Sequence, residues 1–346
     1  MKEQEQNIFQ RIPAPLLSWY QANKRDLPWR SDPTPYHVWV SEIMLQQTRV
    51  EAVKEYYQRF IRALPTVQAL ASCEEEKLLK LWEGLGYYNR VRNMQKAART
   101  VTVEFGGQFP RDVQTLQTLS GIGSYTAGAI ASIAFGLPVA AVDGNVLRVA
   151  TRLTENATDI SSAGYRKYLE QSLSAVYPKN ANDCSAFTQS LFELGALICK
   201  PQNPDCKNCP LQDICLANKH GTQKSFPVLP MKKAKREENV YVFLLSTPHG
   251  FCVRRRERGV LKGMNEFPSF VFHDESVEQV LNEWGIYAFT EIKRHAFTHI
   301  FTHIKWNITC VWMQTDDAPF DTYTIEEIEE SISLPTAFKQ CLQILR

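Results

Sequence analysis

Apolar residues recur at three- and four-residue spacing in LLSWY (16–20), YHVWVSEIML (36–45) and VEAVKEYYQRFIRAL (50–64). That is the period of helices that bury one face, and the texture runs from residue 8 to about 217. Helix starts are marked by Thr34 ahead of Pro35, by Thr66, by Ser124 after a pair of glycines, and by Ser161. Residues 218–239 break the periodicity: NKHGTQKSFPVLPMKKAKRE is polar, basic and punctuated by Pro and Gly. Beyond it NVYVFLLS, GFCVRRR and HIKWNITCVWM read as strands, with VEQVLNEWG as a helix between them. The pattern predicts an all-α domain over 1–217, a linker over 218–239 and an α+β domain over 240–346.

The 346 residues are 44% hydrophobic and 22% charged, ordinary for a soluble multi-domain protein. The first twenty residues lack the apolar core of a signal peptide. No stretch approaches the roughly 18 uninterrupted apolar residues of a membrane helix. A cytoplasmic protein without membrane association is expected. The net charge of +2 divides unevenly: +2 over 1–217, +4 over 218–239 and −4 beyond. A polyanion partner is permitted by that division, not required by it.

Of nine cysteines, Cys73, Cys184, Cys252, Cys310 and Cys341 are scattered, the pattern of reduced thiols in a core. Cys199, Cys206, Cys209 and Cys215 instead form C-x6-C-x2-C-x5-C. Four thiolates in so short a loop chelate a soft metal centre. Zinc sites usually pair two C-x-x-C knuckles, whereas one short pair after a wide gap suits an iron–sulfur cluster at least as well. Spacing alone leaves the metal open.

LSGIGSYTAGAI (119–130) places Gly121 and Gly123 before a helical run. Such glycines let backbone N–H groups approach an anion such as a phosphate, although G-x-G also occurs in ordinary turns. Twenty residues later Asp143, in AVDGNVLRV, is placed to cap the next helix.

In this order, the hairpin, the aspartate and the cysteine loop resemble the helix-hairpin-helix glycosylase superfamily, which includes endonuclease III and MutY-type enzymes. The resemblance covers essentially the whole chain and implies a [4Fe-4S] cluster on the four cysteines. Endonuclease III-type enzymes carry a lysine nucleophile in the hairpin. Tyr125 occupies that position here, and a phenol cannot form an imine. SEIMLQQTRV resembles the MutY-type helix that carries a catalytic glutamate, which makes Glu42 the expected acid. A lone glutamate on a helix is usually a solvated face, but the apolar neighbours Val40, Ile43 and Met44 predict burial and a raised pKa. The resemblance gives Asp143 the role of stabilising the sugar cation, with Tyr125 and Asn145 orienting the groups. It assigns Arg25, Trp29, Arg30 and Gln189 to adenine, and Gln47, Thr48, Leu85, Tyr87, Gly121 and Gly123 to DNA.

The C-terminal part resembles the Nudix-like domain of MutY-type enzymes, which recognises 8-oxoguanine. It lacks the R-E-x2-E-E core of a working Nudix hydrolase, so binding without pyrophosphatase chemistry is expected. The family's Phe-Ser-His loop is matched by two Phe-Thr-His copies, at 297–299 and 301–303. Spacing to the following strand favours Phe301, Thr302 and His303. Asn265 stands where the family has tryptophan, Ser120 replaces a hairpin proline, and the cluster loop offers only Lys200 and Lys207 between its first three cysteines. The resemblance implies a monomeric, nucleoid-associated DNA glycosylase of base excision repair, acting on duplexes with 8-oxoguanine:adenine or guanine:adenine mispairs. A thymine- or uracil-specific relative and a non-catalytic iron–sulfur DNA-binding protein are the competing readings.

Overall fold

The computed structural model describes residues 2–230 and 234–345. Two compact units emerge, one from Met1–Ser72 with Arg92–Met231 and the other from Cys73–Val91 with Lys232–Arg346. The described part of the first unit is helical. The second is a mixed sheet flanked by helices.

Three helices position the chemistry of the first unit. Pro35–Leu45 begins on a Thr34 cap, whose hydroxyl accepts the His37 N–H at 3.2 Å, with Pro35 at its first turn. Eight of its eleven residues are buried, Glu42 among them, so it runs through the core and has no solvated face. Gly144–Thr154 is capped by Asp143 and buries nine of eleven residues. Ala181–Glu193 is capped by Asn180 and passes into a π-helical turn, Leu194–Ile198. A second π turn, Ile130–Ala134, follows the hairpin helix Ser124–Ala129. Helical periodicity does not predict such turns, which gather at functional sites. Phe9, Leu16, Val146, Phe187 and Leu191 are among the side chains of one core cluster here, each worth about 1.5–3 kcal/mol when fully buried.

Two expected helix starts move. Ser162, not Ser161, caps Ala163–Ser174, its hydroxyl accepting the Tyr165 N–H at 3.3 Å, while the Ser161 N–H donates to Asp159 at 2.8 Å in the turn ahead of it. Ser124 opens its helix without capping it, since its hydroxyl donates to Glu170 at 2.7 Å.

The strands of the second unit are β1 (Arg236–Thr247), β2 (Gly250–Arg255), β3 (Asn265–Glu266), β4 (Ser269–Val271), β5 (Thr290–Ile300), β6 (Ile304–Gln314) and β7 (Asp321–Tyr323). Their order is β3-β2-β1-β6-β5, with β4 on β1 and β7 on β2. β1 runs parallel to β6 with Arg236 opposite Ile304, so the basic end of the expected linker is already sheet. Residues 231–233 of that linker lie outside the described residues. Alternation along β1 sends Val240, Val242 and Leu244 to one core and Phe243 and Leu245 to another. Among the described residues no helix is long and apolar enough to cross a membrane.

Candidate active site

A cavity of about 1020 Å³ opens in the first unit, ample for a nucleotide. Arg25, Trp29, Arg30, Glu42, Gln47, Thr48, Tyr125, Asp143, Asn145 and Gln189 all line it, so residues spread over more than 160 positions meet around one space. Gly121 and Gly123 lie in the hairpin that feeds the Tyr125 helix. Gly121 holds a φ of +77°, and a Cβ there would stand 2.8 Å from the Cβ of Asn93. Ser120 takes up the proline position by donating to Asn93 Oδ1 at 3.3 Å.

Glu42 is 5% exposed. Burial pushes its carboxyl up to about 7, opposed by the hydroxyl that Tyr125 donates to Oε2; Asp143 adds to the rise and Arg30 subtracts from it. Burial also raises the Tyr125 phenol well above its ordinary value, with the Glu42 and Asp143 charges adding to it. Asp143 is raised by burial too, but its oxygens accept the Val146 N–H at 2.7 Å and the Asn145 amide at 2.8 Å, both favouring the anion. Asn145 Oδ1 accepts in turn from Arg148, whose guanidinium also donates to the carbonyls of Gly195 and Cys199, each contact at 2.8 Å. Gly195 is required here, since a Cβ would meet the Cβ of Asn145 at 2.5 Å.

Glu193 is a cavity residue that the sequence reading missed. It is fully buried and clasped by Arg25, with contacts of 2.8–3.2 Å, and by Arg30 at 2.6 Å. Its signal was available: it follows Gln189 by four residues, on the same helix face. Leu27, Leu45, Ile133 and Phe192 supply apolar wall, and Trp29 is braced edge-on by Tyr57.

The thiols of Cys199, Cys206, Cys209 and Cys215 converge. Burial pushes Cys209 up to about 12, and each of the other three raises it further. Arg152 approaches Cys199 Sγ at 3.4 Å and Gln223 approaches Cys206 Sγ at 3.8 Å, so donors point at the sulfurs. Arg152 also binds the carbonyls of Lys200, Pro201, Gln223 and Phe226 at 2.7–3.0 Å. Four convergent thiols with cationic and amide donors around them are a donor set for a soft metal centre.

Leu85 and Tyr87 belong to the second unit. So do Phe301, Thr302 and His303, which form the tip between β5 and β6, while the other Phe-Thr-His copy lies within β5. Phe301 packs on His299 and Trp306 with ring centroids 4.7 and 4.8 Å away. Thr302 and His303 are exposed. Asn265 is buried and donates to Glu76 at 2.7 Å.

A hairpin, two buried carboxylates on one cavity and a four-cysteine loop define a base-excision DNA glycosylase. Residues 40–175 match the model of the HhH-GPD superfamily base excision DNA repair protein, and residues 240–343 match the NUDIX domain. The adenine DNA glycosylase of Rattus norvegicus is 36% identical over 84% of this chain and 68% of its own length. That of Buchnera aphidicola (strain Bp) is 33% identical over 86% and 84%. That of Homo sapiens is 37% identical over 84%, and this chain spans 64% of its length. Among solved structures, a thermostable thymine-DNA glycosylase superposes with a TM-score of 0.56 at 27% identity, over 62% of this chain and 98% of its own. A non-covalent endonuclease III–DNA complex gives 0.52 at 26%, over 62% and 99%. The chain belongs to the adenine DNA glycosylase family, and is a DNA-binding glycosylase of base excision repair.

Proposed function

We propose that this glycosylase removes adenine mispaired with 8-oxoguanine, or with guanine, by hydrolysing its N-glycosidic bond. The observation that carries the reading is Glu42, held near neutral pKa by burial and sharing a cavity with Asp143. Adenine is a poor leaving group until a ring nitrogen is protonated. An acid whose pKa lies near working pH does this best. Glu42 gives the proton to the base, and Asp143 stabilises the oxocarbenium-like sugar by charge or a transient covalent bond, as paired glycosidase carboxylates do. Tyr125 orients Glu42 and Asn145 orients Asp143.

Arg25, Trp29, Arg30 and Gln189 hold the adenine, the Gln189 amide offering the donor and acceptor that its edge requires. The base must leave the duplex to reach them. Gln47, Thr48, Leu85 and Tyr87 wedge the gap, and Gly121 and Gly123 present N–H groups to a backbone phosphate. Phe301, Thr302 and His303 read 8-oxoguanine, threonine keeping the hydroxyl of the family's serine. Cys199, Cys206, Cys209 and Cys215 hold a [4Fe-4S] cluster, which when bound cross-links a loop that Arg148 and Arg152 tie to the Asp143 helix. The protein acts as a cytoplasmic monomer.

Single-turnover base release from duplexes with adenine opposite 8-oxoguanine, guanine or thymine tests this. Adenine leaves fastest opposite 8-oxoguanine and hardly at all opposite thymine, and Glu42→Gln abolishes release. Wild-type protein that binds these duplexes without releasing adenine would overturn the reading.

A further inference from the structure

Residues 73–91 sit within the homology match of the helical domain, yet they fold into the second unit. What fastens them there is a set of charged hydrogen bonds around the helix Glu75–Trp82. Glu76 Oε1 accepts the Asn265 amide at 2.7 Å and the Ser333 N–H at 3.0 Å, and Oε2 accepts Arg255 at 2.7 Å. One turn on, Lys80 donates to the carbonyls of Ile332 at 2.9 Å and Ile328 at 3.3 Å. Lys339 then pairs with Glu83 at the helix end. Asn265 is the position where the chain departs from the family's tryptophan, and in this chain its amide is spent on Glu76.

The helix leads directly into the segment bearing Tyr87. Gly84 and Gly86 take φ of +97° and +67°, and Tyr87 itself takes +47°, a conformation that costs a non-glycine residue energy and is kept only when its surroundings hold it. The Trp82 indole donates to the Gly86 carbonyl at 3.0 Å, and Arg90 donates to Leu85 and Gly86 at 2.9 and 3.2 Å. The outcome is a Tyr87 hydroxyl 2.7 Å from Thr302 Oγ1, at the tip between β5 and β6.

We propose that Glu76, with Asn265 and Arg255, is a positioning residue for recognition of the base opposite adenine. It locks the helix ahead of Tyr87 to the Nudix-like sheet and so fixes how the Thr302 hydroxyl is presented. This rests on the reading of Thr302 as a lesion contact. Among the described residues the hydrogen bonds of Glu76 go to Arg255, Asn265 and Ser333, so its loss leaves the proton-transfer machinery in place and loosens only the discrimination between opposing bases.

The test uses the full chain and compares single-turnover adenine release opposite 8-oxoguanine and opposite guanine at saturating protein. The ratio of the two rates is independent of the fraction of active protein, so a loss of folding does not move it. Glu76→Ala is expected to lower the ratio about tenfold, the scale of a lost charge-assisted hydrogen-bond set, chiefly by slowing release opposite 8-oxoguanine. Glu76→Gln keeps an acceptor for Asn265 and Ser333 and restores most of the ratio. Asn265→Ala, which removes one bond, lowers it by a smaller factor and serves if Glu76→Ala folds poorly. A wild type without preference for 8-oxoguanine sinks the lesion reading and this proposal with it. A wild-type preference that survives unchanged in Glu76→Ala and Asn265→Ala sinks the positioning role alone.

Discussion

Replacing Glu42 with glutamine removes the proposed proton donor and, in the same step, a buried charge that the fold tolerates poorly. The carboxyl titrates near its ordinary 4.5 when the chain is unfolded and at about 7 in the folded cavity. Between those values the native state keeps a proton that the unfolded state has lost, so stability falls as pH rises through the window. At about 1.4 kcal/mol per pH unit, the wild type forfeits about 3 kcal/mol by the time Glu42 is fully ionised. The amide of Glu42→Gln does not titrate and still accepts the Tyr125 hydroxyl. Equilibrium denaturation of both proteins at about pH 5, 6.5 and 8 reads the difference. The variant should gain on the wild type as pH rises and level off above about pH 7, while releasing no adenine at any pH. Wild-type base release should hold below that pKa and decline as pH rises through about 7, where the folded protein loses the protonated acid. A stability difference that stays constant across the range would refute the claim that burial holds the proton on Glu42.

Tyr125→Phe deletes the one side-chain hydrogen bond that lowers the Glu42 pKa, so the alkaline limb of the rate profile should move to higher pH even as the maximum rate drops. A limb that stays in place would show that Tyr125 does not set the acidity of Glu42. Gly195→Ala places a methyl 2.5 Å from the Cβ of Asn145. Overpacking of this kind costs about 1–3 kcal/mol, and the push on Asn145 should slow base release beyond what thermal melting accounts for. Normal single-turnover rates in that variant would show that Asn145 can move without consequence.

Much of the helical architecture was legible because its signals are local. Three- and four-residue periodicity marks the Glu42 helix, Thr34 and Asp143 act as caps, and the alternating segments of the second unit form strands. Burial of Glu42 could be read from its apolar neighbours. Other features depend on groups remote in sequence. Ser124 has a cap-like side chain, but Glu170 takes its hydroxyl. Close packing beside the two π turns is likewise remote in sequence, with Gly195 inside one pressed on Asn145 and Gly128, just ahead of the other, on the Ala140 carbonyl. Residues 73–91 have ordinary helical texture, and nothing local says that Glu76 will meet Asn265 and Ser333. Glu193 stayed hidden for a different reason: a buried acid is readable only once its two arginines, more than 160 positions upstream, are known to converge on it.

Among the described residues three carboxylates line the same cavity, and their surroundings differ. Glu193 is met directly by Arg25 and Arg30, so its charge is neutralised where it stands and it serves to aim two guanidiniums at the space. Asp143 accepts a backbone N–H from the helix it caps and an amide from Asn145, and feels the charge of Arg148, all of which favour the anion. Glu42 accepts a single phenol and feels Arg30 only as its smallest influence. On the proposed reading the proton is carried by Glu42, whose carboxyl burial lifts to about 7. Asp143 remains the group best prepared to face a developing cation. Acid and anion are required on the two sides of a glycosidic bond, and environments that push paired groups apart are how one cavity supplies both.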